Sequence, residues 1–162
     1  MSSAQEGWEQ RSAALWAKID EHDEQGFIAL IDALAEELGS DSAIARFERG
    51  AARDSTGHPE EAIALYRAAL EAGLQGERRR RAVIQMASSL RNLGDAQQAV
   101  ELLDAELHAA HDPLDGAVRA FLALADLGRE REGLQLALSA LSEYLPRYSR
   151  SLARYAEDLA AE

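Results

Sequence analysis

His108 and His111 stand three residues apart, a spacing that would set two imidazoles on one helical face as a metal pair, with Asp104 and Asp112 nearby. A solvated helix end gives the same pattern, so no metal site is expected. Ser55 and Ser88 have no evident base, which leaves nucleophilic catalysis without support. Carboxylates are abundant, but acidic helix surfaces supply acid–base pairs by chance. His58 precedes Pro59 in a turn and His22 lies in an acidic loop, neither with an identifiable partner. The GxGxxG and phosphate-loop patterns never occur. The absence of cysteine excludes disulfides, thiolate metal sites and cysteine nucleophiles. The reading is non-catalytic, with no cofactor and no metal.

One cluster is strongly basic: Glu77 followed by Arg78, Arg79, Arg80 and Arg81. It should occupy the first turn of a helix, where the dipole disfavours positive charge by about 0.3–1 kcal/mol. Solvation and acidic neighbours such as Glu71 or Glu77 would compensate it. The alternative is docking of an acidic partner segment or a phosphate.

The formal net charge is −12 over 162 residues, with −9 on residues 1–76 and −3 on residues 77–162. Such a field repels nucleic acid and anionic lipid, so neither is expected as a partner. The first residues, MSSAQEGWEQ, lack the basic-then-apolar order of a signal peptide, and no apolar run approaches the roughly 20 residues that span a bilayer. A cytoplasmic location is expected.

The elements that would position any site follow from periodicity and punctuation. Hydrophobic residues make up 47% of the chain but aromatics only 6%, so alanine and leucine must carry a closely packed helical core. GHPEEAIALYRAAL (57–70) and GDAQQAVELLDAEL (94–107) are copies offset by 37 residues, and GREREGLQLALSAL follows from Gly128, 34 residues later. Pro59, Pro113 and Pro146 mark helix starts, and Gly39, Gly57, Gly73, Gly94 and Gly128 mark stops. About nine helices result: 4–21, 24–38, 42–56, 59–72, 77–93, 95–109, 113–127, 130–143 and 146–161. Short connections make neighbours antiparallel hairpins within a single domain.

These copies resemble tetratricopeptide repeats, in which helices A and B pack through small residues. Gly50, Ala62, Tyr66 and Ala69 fall on the family's landmarks in the first copy, and Ala87, Ala99 and Leu103 in the second, where Glu106 replaces the last alanine. The third departs at Phe121 and Gly133. The strings RFERGAARDSTGHPEEAIALYRAALEAGL and SSLRNLGDAQQAVELL are similar to the bacterial group-five tetratricopeptide subfamily over about residues 42–145. The resemblance implies an all-α, right-handed α-solenoid acting as an interaction module. Gly50 costs its helix about 1 kcal/mol relative to alanine, which a very close helix crossing would explain. Phe121 at the equivalent place implies a splayed third pair.

On this basis residues 1–162 divide into a degenerate N-terminal repeat or cap (1–40), repeats at 42–74, 77–111 and 113–145, and a capping helix at 146–162. Trp8, Leu15, Trp16 and Ile19 should bury against FIALIDAL (27–34). Tyr148, Leu152, Tyr155 and Leu159 form one stripe on the last helix.

The family's groove positions on the A helices project onto Ile44, Phe47, Ala51, Asp54 and Ser55, then Arg81, Ile84, Ser88, Arg91 and Asn92, then Asp115, Val118, Leu122, Ala125 and Asp126. Arg91 and Asp54 share a repeat position on adjacent A helices and should be neighbours. Phe47 and Ala51 stand where a carboxylate clamp would place lysine and asparagine, so a mixed or apolar peptide or protein segment is the expected partner. Three repeats would bury roughly 1,000 Å² or less, a weak and reversible complex. The alternative is a homodimer, because solenoid ends are adhesive where a cap is imperfect.

Overall fold

The computed structural model describes residues 3–107 and 122–161. Among these residues the structure is all-helical, without strands: α1 (Ser3–Trp16), α2 (Glu24–Glu36), α3 (Ala43–Ser55), α4 (Pro59–Glu71), α5 (Gly76–Asn92), α6 (Ala96–Leu107), α7 (Glu130–Ser142) and α8 (Ser149–Ala161). Residues 122–126 are also helical. Two compact units divide the chain, Met1–Ala82 and Val83–Glu162.

The repeat is visible in the backbone hydrogen bonds. His58 N–H donates to Arg53 O, Asp95 N–H to Leu90 O and Arg129 N–H to Leu124 O, each at 2.9 Å. These are one closure made three times, spanning Gly57, Gly94 and Gly128 with φ of 85°, 90° and 70°. A left-handed glycine lets the chain reverse while a late N–H caps an otherwise unmet helix carbonyl.

In the first unit α3 and α4 form a hairpin, α2 packs on α3 and α1 on α2. Phe47 and Tyr66 are fully buried, their rings 5.9 Å apart. A Cβ on Gly50 would lie 3.0 Å from Tyr66 Cδ1 and 3.2 Å from Leu65 Cβ. The glycine is there because the Tyr66 ring occupies the space, as the close-crossing argument requires. Trp8 is buried and its indole N–H donates to Leu34 O at 2.9 Å. Leu15, Trp16 and Ile19 pack against Phe27, Ile31 and Ala52, so the N-terminal segment buries as expected.

Two boundaries, at the first and the last helix, differ from the sequence expectation. The first helix ends at Trp16 rather than near residue 21, and a 3-10 turn, Ile19–Glu21, follows. Its bonds tighten to Glu21 N–H on Lys18 O and His22 N–H on Ile19 O. Asp20, Glu21, Asp23 and Glu24 crowd negative charge where a helix C-terminus is already negative. The last helix starts at Ser149 and not at Pro146, because Tyr148 takes φ = 67° and its carbonyl accepts the Leu152 N–H at 2.9 Å. The stripe on that helix is also rotated: Ala156 is buried with Leu152 and Leu159 half-buried, while Tyr148 and Tyr155 stand in solvent. The helix expected at 113–127 is described only from residue 122, and Pro113 and Phe121 lie outside the described residues.

Candidate interaction surface

In the first unit, the start of α3, the α4–α5 loop and the first turns of α5 surround an open cavity of ≈ 650 Å³. Its walls are Ser42, Ala43 and Ile44, then Gly73, Leu74 and Gln75, then Glu77, Arg78 and Arg81, with Glu9 from α1. Each α3 and α4 feature has a local cause. The Ser42 hydroxyl accepts the Ala45 N–H at 3.2 Å and starts α3. Pro59 sits in the first turn of α4, where no N–H is missed.

The floor of the cavity is a polar network. The Arg78 guanidinium donates to both Glu9 oxygens, at 3.0 and 2.6 Å, and to Glu48 Oε1 at 2.9 Å. Glu48 is 5% exposed, and its second oxygen accepts the Trp16 indole N–H at 2.8 Å. The Arg78 guanidinium also lies 5.9 Å from the centre of the Trp8 ring. Burial opposes the charge of Arg78, but its hydrogen bonds to Glu9 and Glu48 hold its pKa above the ordinary value. The compensation expected from Glu71 or Glu77 is thus supplied for Arg78 by Glu9 and Glu48. Sequence proximity missed both, since Glu9 is 69 residues away. A signal was available in Glu48, an acid on the buried face of α3 that had to find a cation.

Arg81 differs from Arg78. It is exposed at the rim, its guanidinium 5.5 Å from the centre of the Phe47 ring, and it makes no ion pair among the described residues. Phe47 therefore supports Arg81 from below and offers no surface itself. Ala51 is likewise buried, while Ser55 is exposed. Asp54 is half-buried and accepts the Tyr66 hydroxyl at 3.4 Å. Burial, then the charge of Asp54, pushes the Tyr66 phenol well above its ordinary pKa.

In the second unit Ile84 is buried, Ser88 half-buried and Asn92 exposed. Arg91 pairs with Asp126, Nη2 lying 3.3 Å from Oδ1 and Nε 2.5 Å from Oδ2. This carboxylate comes from the following repeat. Leu122 is half-buried, and Val118 and Asp115 lie outside the described residues, as do His108 and His111. Of the projected residues, Ile44 and Arg81 line the same cavity, from α3 and α5.

A repeated helical hairpin closed by the same capping bond, small residues at the crossings and an open polar–apolar cleft define a helical-repeat protein. The chain belongs to the tetratricopeptide-repeat family, whose model (Tetratrico peptide repeat) matches residues 43–159. No curated protein matches the chain. Proteins of this family generally mediate protein–protein interaction and are typically non-catalytic. Among the described residues no helix is long and apolar enough to cross a membrane.

Proposed function

We propose that the chain is a non-catalytic module that binds a peptide or protein segment on the A-helix face, with the Ile44–Leu74–Arg81 cleft as its anchor. The observation that carries this reading is Arg81, an exposed guanidinium over Phe47, beside Ile44 and Leu74 in a cavity large enough for one or two side chains. The matching segment has an apolar side chain that packs on the half-buried Ile44, over the buried Leu74, and a neighbouring acid that meets Arg81. An arginine fork held against an aromatic face is pre-ordered for a carboxylate. Within the first unit Ser55 supplies further polar contact, while Phe47 and Ala51 act as buried support.

Selection of a random peptide library on the purified full chain tests this. Peptides joining an apolar residue to an acid should be enriched, and their affinity should fall at least tenfold on Arg81→Glu, about 1.4 kcal/mol or more. Enriched peptides that bind Arg81→Glu as well as the parent would contradict the reading.

A further inference from the structure

Eight large hydrophobic side chains are exposed among the described residues, and six of them fall between residues 127 and 155. They are Leu127 (36%), Leu134 (41%), Leu141 (42%), Tyr144 (52%), Tyr148 (79%) and Tyr155 (58%). Five of the six recur every seven residues, at 127, 134, 141, 148 and 155. On α7 this spacing sets Leu134 and Leu141 on one face. The opposite flank of α7, with Glu132, Gln135 and Leu136, lines a cavity of ≈ 340 Å³ against Gln97, Val100 and Glu101 of α6. The leucines therefore point away from that cavity.

Tyr148 gives the second, independent observation. Its φ of 67° is a strained conformation for a bulky residue. The backbone role of that residue is clear, because its carbonyl accepts both the Leu152 N–H and the Ser151 hydroxyl at 2.9 Å. Glycine or asparagine would fill the role with less strain. The aromatic ring, 79% exposed, contributes little packing within the chain that would offset the strain.

We infer that these exposed leucines and tyrosines of the C-terminal helices and their turns together form the interface of a homodimer. An isologous interface brings the same patch from each copy together, and a leucine–tyrosine surface needs no counter-charge to be self-complementary. Tyrosines also bring large contact area with little side-chain entropy to lose. With about 150–250 Å² per aromatic side chain, the exposed portions of the six residues amount to roughly 500–600 Å². That approaches the ~600–800 Å² per partner of a small specific interface. Charge permits it as well. Residues 127–162 carry five arginines against six acids, whereas residues 1–76 hold a net −9, so two copies meet through their least repulsive part.

Sedimentation of the full chain at roughly 1 μM and 200 μM tests the inference across the affinity range of a small interface. The weight-average mass should move from 17.6 kDa towards twice that value. The double variant Tyr148→Gly/Tyr155→Ser should stay monomeric at both concentrations without a lower Tm, because glycine accepts the positive φ. Arg81→Glu, which disables the proposed peptide cleft, should dimerise like the parent. A parent that is monomeric at both concentrations, a double variant that dimerises unchanged, or a dimer lost in Arg81→Glu would each overturn it.

Discussion

Replacing Glu48 with alanine should destabilise the first unit by about 2–4 kcal/mol. Loss of one partner from a buried ion pair costs about 3–5 kcal/mol because the other charge is left unmatched. Here the Arg78 side chain is 24% exposed and keeps both bonds to Glu9, which reduces that part to about 2 kcal/mol. The Trp16 indole N–H loses its acceptor as well, worth about 1 kcal/mol at a half-buried site. Trp8 and Trp16 are the only tryptophans, and both lie in the unit that ends at Ala82, so their fluorescence reports that unit alone. A urea titration should show the midpoint falling by about 1–2 M if the slope is near 2 kcal/mol/M. Glu48→Gln, which keeps an acceptor for Trp16, should lose about half as much. A midpoint unchanged for Glu48→Ala, or a larger loss from Glu9→Ala than from Glu48→Ala, would refute the reasoning that Glu48 is the hub.

Two glycines should respond with opposite signs. Gly50→Ala gains about 1 kcal/mol of helix propensity but meets Tyr66 and Leu65 at 3.0–3.2 Å, so overpacking of about 1–3 kcal/mol leaves a net loss. Gly7→Ala, in α1 with open space around the added carbon, should stabilise by up to about 1 kcal/mol; thermal melts of both variants check the contrast. Tyr66 provides a pH test. Its phenol is held above the ordinary value in the folded chain, so its stabilising contribution is complete below about pH 10 and declines as the unfolded chain ionises above that. The urea midpoint should therefore fall more steeply between pH 9 and 11 in the parent than in Tyr66→Phe.

Much of the fold was written locally. Gly57, Gly94 and Gly128 mark turns because a reversal of this kind needs positive φ, and that requirement is readable without a structure. Gly50 was interpretable because a glycine inside a helix needs a steric reason, which Tyr66 supplies. The candidate site was less legible. Periodicity gives the buried face of a helix but not which distant helix meets it, so the Arg78–Glu9 contact across 69 residues was missed. Projected groove positions carried no information on depth: Phe47 and Ala51 fell into the core while Arg81 reached the rim. The turn at Tyr148 escaped notice because a tyrosine gives no warning of a left-handed backbone.

Hydrogen–deuterium exchange of the full chain, with and without a peptide selected from the library, tests the interaction surface most directly. Bound peptide should slow exchange in the first turn of α3, in residues 73–75 and in the first two turns of α5. Protection confined to other helices, or unchanged exchange in those three segments at saturating peptide, would contradict the account.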